Sequence, residues 1–224
     1  MKTTPKSIIT KVREIIPARS VTQGEALILA ERQASLLLKL LGVQAVPVDV
    51  FKISELPGIE VRVKPRHEMP AIAELSQTSE VGGVTHLRRD GSWVLTINRE
   101  DTVGRRRFSL AHEFKHVLDH PVAERAYAKL GYGNAEYRAR QVERICDHFA
   151  ACFLMPRAAL KRAWSSGIQD LEALAGQFNV SLTAMRIRLD YLGLTNETDR
   201  PVSEYFRLTV RPRVGSAECP GLAA

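Results

Sequence analysis

The chain has 224 residues, 45% of them hydrophobic and 25% charged, which suffices for one sizeable core with a small appendage. No apolar run approaches the about 18 to 20 residues that a membrane span needs, and MKTTPKSIITKVREIIPARS lacks the continuous apolar stretch and small-residue cleavage site of a secretory leader. A soluble, cytoplasmic protein is therefore expected. Three cysteines, Cys146, Cys152 and Cys219, have neither the paired spacing of a zinc ribbon nor the even number of a disulfide framework, and reduced thiols are expected. The net charge of +7 and a pI near 9.5 are compatible with a nucleic-acid partner, but the basic residues are spread along the chain, with the densest cluster at Arg105, Arg106 and Arg107. A solvated basic surface accounts for them.

A short helix from Lys6 to Ile16 is predicted to precede a longer one over 22 to 41, with Thr22 as its N-cap and Gly42 as its stop. After Pro47, VDVFKISELPG reads as a further short helix ended by its Pro-Gly pair. GIEVRVKP alternates as a strand does, and GGVTHLRRDGSWVLTIN places two strand-like runs around Asp90-Gly91, a strong hairpin signal. The second run, Trp93 to Asn98, is expected to be an edge strand near the residues that follow and to hold an extended peptide by strand addition.

Next comes RFSLAHEFKHVLDHP, predicted as a helix over 109 to 120 with Ser109 as N-cap and Pro121 as terminator. Leu110, Phe114, Val117 and Leu118 form its core-facing stripe. His112 and His116, four apart, project from one face and can reach one ion; Glu113 flanks the position of an activated water, as in HExxH zinc hydrolases. His116, Asp119 and His120 offer a competing inverted register, in which the shorter Asp119 takes the glutamate's place. At 1.5 Å rise per residue His112 and His120 are about 12 Å apart, so the three histidines cannot share an ion. Asp119 and His120 are expected at the surface or behind the ligands.

A third ligand must come from another element. RQVERICDHFAACFLMP, predicted as a helix over about 138 to 154, offers Glu143 as ligand and Asp147, one turn on, as acceptor for a ligand histidine. On their own the two acids would rather belong to a solvated face with Arg140 and Arg144; beside an HExxH helix the ligand role is favoured. Farther on, DLEALAGQFNVSLTAMRIRLDYLGL reads as a helix, a turn at Asn179 and a second helix capped by Ser181, with Ala175, Val180 and Met185 as packing residues. Leu182 and Ile187 occupy positions where a DNA reader needs polar groups, and Arg186 and Arg188 are the nearby cations, which favours a packing or partner-recognition role. The tail from Thr195 is expected to be irregular apart from a possible strand in EYFRLTV.

Together PARSVTQGEALILAERQASLLLKLLG, VPVDVFKISELPGIEV, RRRFSLAHEFKHVLDH and VERICDHFAACFLMP resemble the ImmA/IrrE family of bacterial metallo-endopeptidases over about residues 15 to 192. Cys146, Asp147 and Phe153 stand where that family usually has Ala, Asn and Leu. The resemblance implies an α+β, zincin-like, gluzincin-type domain with Zn2+ held by His112, His116 and Glu143, and Glu113 as the catalytic residue. It also implies a protein substrate, a helix-turn-helix repressor cleaved to switch on stress-response or mobile-element genes. The expected division is a peptidase domain over 1–156, a helix-turn-helix-like region over 157–194 and a tail over 195–224. The contrasting expectation is a DNA-binding or protein-binding regulator with a non-catalytic peptidase-like scaffold.

Overall fold

The computed structural model describes residues 5–69 and 82–194; the tail with its EYFRLTV run and Cys219 lies outside the described residues. Helices α1 (Pro5–Glu14) and α2 (Gln23–Leu40) come first, followed by strand β1 (Ile59–Lys64). Thr22 caps α2 in a reciprocal box: its hydroxyl accepts from the Glu25 N–H while the Glu25 carboxylate accepts from the Thr22 N–H. The short helix predicted after Pro47 is a 3₁₀ segment, Val50–Glu55, capped by Asp49.

Strands β2 (Gly83–Leu87) and β3 (Trp93–Asn98) form the predicted hairpin, whose turn places Gly91 at φ +83°. β1 pairs with β3 in parallel, so the sheet order is β1-β3-β2. The expectation that Trp93 to Asn98 forms an edge is thereby corrected. β3 is central because a nonlocal partner, β1, pairs with the side that the hairpin leaves open, and most of its residues are buried. β2 is the edge of the described sheet on the side of the next helix. In its register Asn98 donates to the Gly82 carbonyl and Arg88 to the Ser92 carbonyl, so Val84 and His86 face β3 and the polar backbone groups of Gly83, Thr85 and Leu87 point outward.

Helix α3 (Val103–Asp119) starts six residues before the predicted start, capped by Thr102, whose hydroxyl accepts from the Arg105 N–H. Ser109 is a buried interior residue of this helix, so the predicted cap is corrected. After α4 (Ala123–Ala126) comes α5 (Ala135–Leu154), capped by Asn134 and packed against both α2 and α3. Leu37, Leu110, Phe114, Leu118, Phe149 and Phe153 fill the junction of these three helices. Full burial of one such side chain contributes about 1.5–3 kcal/mol.

Asp119, expected at the surface or behind the ligands, lies in the core with Lys115. The Lys115 ammonium donates to both Asp119 oxygens at 2.6 and 2.5 Å and to Gln33 Oε1 at 2.7 Å, and the Tyr127 hydroxyl also donates to Asp119. Arg13 on α1 donates to the carbonyls of Val117 and Leu118. These bonds satisfy Lys115, Asp119 and the carbonyls of Val117 and Leu118 where α3 enters the core.

A second core cluster, built on Met155, Leu160, Leu174, Phe178, Met185 and Leu189, joins α6 (Arg157–Ser165), α7 (Leu171–Phe178) and α8 (Leu182–Leu192). The turn between α7 and α8 has Asn179 in the left-handed region, φ +51°, with Ser181 as the next N-cap, as expected. Arg188, one of the two cations the sequence places near the start of the second helix, is only 1% exposed. It donates to the Met155 carbonyl and, at 3.0 Å, to Glu31 on α2, which also takes two hydrogen bonds from Arg157.

Partial burial raises the affinity of Glu31 for a proton, but the hydrogen bonds and charges of Arg157 and Arg188 outweigh it and hold the carboxyl at about 2. A depressed folded value means that this contribution is present above the ordinary value of 4.5 and is lost as pH falls toward 2. The unfolding temperature of Glu31→Gln should therefore fall less than that of the wild type over this window, as thermal scans at graded pH would show.

Candidate metal centre

α3 and α5 cross where their polar faces meet. His112 is fully enclosed, whereas His116 and Glu143 are about one-fifth exposed. The Nε2 atoms of the two histidines are 3.2 Å apart, Glu143 Oε2 is 3.2 Å from that of His112, and Oε1 is 3.5 Å from that of His116. Donors held about 2.0–2.1 Å from a tetrahedral zinc ion lie about 3.3 Å from one another, so this trio fits zinc without rearrangement. Four-residue spacing explains the histidine pair; placement of Glu143 depends on the packing of α5 against α3.

Asp147 follows Glu143 by one turn and accepts from His112 Nδ1 at 2.8 Å, fixing the ring so that Nε2 faces the trio. Burial of His112 opposes its charged form, yet the hydrogen bonds to Asp147 and Glu143 raise it to about 10. Burial likewise works against ionisation of Glu143, but the bond from His112 and the charges of both histidines keep its carboxyl below the usual range. The pocket is thus built to attract a cation. Asp147→Ala should weaken zinc binding about 10- to 100-fold with the other three groups in place, measurable by competition with a chromogenic chelator.

Cys146 belongs to the same cluster of possible ligands. Its Sγ lies 3.8 Å from His116 Nδ1, the ring nitrogen opposite the trio, and burial pushes its thiol well above the ordinary range. A protonated thiol at the back of a histidine is a poorer third donor than a carboxylate between two Nε2 atoms. Peptide hydrolysis also needs a donor for the developing oxyanion, for which the sequence offers Tyr127 and Tyr132 without choosing between them; the Tyr127 hydroxyl is taken up by Asp119, and Tyr132 is 91% exposed and stacks on Tyr137. His120 is exposed, its ring edge against Trp93.

Glu113 is buried beside the trio, against β2. Thr85 donates its hydroxyl to Glu113 Oε2 at 2.7 Å. A Cβ on Gly83 would lie 2.8 Å from Glu113 Cγ and 3.2 Å from Oε1, so the side chain occupies space that only glycine leaves. Sequence reading missed both residues; the signal available was the Gly-Gly pair leading into a strand, a mark of close backbone approach.

An HExxH helix resting on a small mixed sheet, with a glutamate supplied by a following helix, defines a zincin-like metallopeptidase domain. The chain belongs to the Peptidase_M78 family: the IrrE N-terminal-like domain matches residues 57–190. No functionally curated protein shows significant similarity to it. Among solved structures it is similar in fold to a Mycobacterium tuberculosis transcriptional regulator, with a TM-score of 0.52 and 20% identity over 80% of this chain. The match spans 51% of that regulator's chain, about half its length. Among the described residues no helix is long and apolar enough to cross a membrane.

Proposed function

We propose that this chain is a cytoplasmic zinc-dependent endopeptidase that cleaves a helix-turn-helix repressor at a specific site and so derepresses its genes. The observation that carries the reading is the convergence of His112 Nε2, His116 Nε2 and the Glu143 carboxylate at 3.2 to 3.5 Å, with Glu113 beside them. His112, His116 and Glu143 hold the metal, and Asp147 orients His112. Bound there, zinc supplies Lewis acidity for the peptide carbonyl and for water. Glu113 takes the proton of the attacking water and passes it to the leaving amine. The outward backbone groups of Gly83, Thr85 and Leu87 give an extended substrate an edge to pair with, a strand earlier than the sequence suggested.

In this reading residues 1–156 form the catalytic domain, 157–194 a helix-turn-helix-like region for packing or partner recognition, and 195–224 a tail. Direct DNA reading by α8 is disfavoured by how its start is docked. Arg107 on α3 donates to the carbonyls of Phe178 and Asn179, and the α7–α8 turn lies against Gly104, where a Cβ would be 3.5 Å from Val180 Cα. A DNA-reading helix needs that end free for a groove. The test is incubation of zinc-loaded protein with helix-turn-helix repressors from its own genome, beginning with any encoded next to it. A defined pair of fragments supports the reading; an intact repressor together with salt-dependent duplex binding would replace it with the regulator.

A further inference from the structure

We propose that Thr85 is the positioning residue of Glu113: its hydroxyl, and the space left by Gly83, hold the carboxylate in one orientation for proton transfer. This rests on the peptidase reading above. A glutamate has three side-chain torsions, and fixing them costs about 1.5–2 kcal/mol of conformational free energy that the surroundings must offset. Here two features of one strand do so. Gly83 and Thr85 alternate onto the face of β2 that meets α3.

The hydroxyl of Thr85 has one proton. It has two acceptors in reach, Glu113 Oε2 at 2.7 Å and the Glu113 carbonyl at 3.3 Å, and the shorter contact to the carboxylate takes it, which leaves Oε1 to accept from the attacking water. A β-branched side chain on a strand has restricted χ1, so this donor is itself fixed. Gly83 supplies the room: a Cβ there would stand 2.8 Å from Glu113 Cγ, 3.2 Å from Oε1 and 3.1 Å from Ile97 Cδ1, so the Glu113 stem fits against β2 only because this position has no side chain. β2 is in turn held to β3 through the Gly82–Asn98 and Arg88–Ser92 bonds. The backbone groups of Gly83 and Thr85 point outward along the same edge that an extended peptide would join. Peptide docking and orientation of the base therefore meet in the same two residues.

The test compares full-length wild type, Glu113→Gln, Thr85→Val and Thr85→Ser. Each is loaded with Co2+ for visible absorption and with Zn2+ for cleavage of an internally quenched peptide library, followed by kinetics on the fastest-cleaved member. Valine keeps the branched shape and removes the donor; serine keeps the donor. Expected for Thr85→Val is a kcat about tenfold lower, the worth of one hydrogen bond to a charged group, with KM unchanged. Its cobalt spectrum should move toward that of Glu113→Gln, while Thr85→Ser retains wild-type kcat and spectrum.

The proposal is overturned if Thr85→Val keeps both the wild-type kcat and spectrum, or if Thr85→Ser fails to rescue, which would reduce Thr85 to packing. If the library is not cleaved but cobalt binds, the spectra decide alone. A wild type that binds no cobalt and cleaves nothing defeats the peptidase reading itself and this inference with it, and that failure shows in the wild type before any variant.

Discussion

Glu113→Gln is expected to keep stoichiometric zinc and to lose hydrolysis by about 10²- to 10⁴-fold, the usual contribution of a positioned general base. Glutamine preserves the length and shape of the side chain and can still accept the Thr85 hydroxyl proton through its carbonyl oxygen, so β2 and α3 have no cause to move apart. What is lost is a group able to take a proton and return it. Because Glu113 lies outside the trio that brings its donors within 3.2 to 3.5 Å, metal content and turnover separate cleanly in this variant. Zinc analysis by atomic absorption, run beside a cleavage assay, checks both halves. A Glu113→Gln protein that cleaved at the wild-type rate would remove the base from the mechanism.

Glu143→Ala is expected to abolish both zinc retention and cleavage. The carboxylate takes up two imidazole nitrogens at once, and alanine leaves two histidine donors facing a cavity with no third. Zinc in catalytic sites takes three protein ligands, and Cys146 cannot substitute because its sulfur faces His116 Nδ1 on the other side of the ring. Metal analysis after dialysis should find the variant essentially empty. Full zinc content in Glu143→Ala would transfer the third-ligand role to another donor, with Cys146→Ser in the same background as the next variant to measure.

These two experiments address residues of different legibility. Helical periodicity fixes the relation of His112 to His116, since both lie on one helix and local geometry decides which side they share. The same periodicity places Glu143 and Asp147 on one face of α5, but their meeting with His112 depends on how α5 packs against α3. Spacing beside the HExxH helix offers both roles, and the family resemblance adds support for Glu143 alone, since Asp147 stands where the family usually has Asn. The start of α3 was misread because Arg105, Arg106 and Arg107 obscure the apolar stripe, and Thr102 ahead of them is the residue that caps it.

Asp119 was misread for a related reason. A charged residue in a helix is ordinarily solvated, and its burial here depends on Lys115, Gln33 and Tyr127 arriving from three places in the chain. The hairpin was legible because Asp90-Gly91 is a local signal. The parallel partner β1, 34 residues from β3 in the register Ile59 to Trp93, has no such signal, and so the edge was assigned to the wrong strand.

Arg188 bears on how this chain can be divided. Its guanidinium sits in the interior with one bond to Met155, the residue that caps α5, and one to α2, while Arg107 reaches from α3 to the turn before α8. Pro156 therefore marks a seam in the sequence that the packing crosses in both directions. A recombination event that exchanged the segment after it would take both arginines, Arg157 and Arg188, from Glu31 and leave the start of the histidine-bearing helix without its neighbour. The helices after residue 156 and the helices that carry the site are, in physical terms, heritable only as one piece.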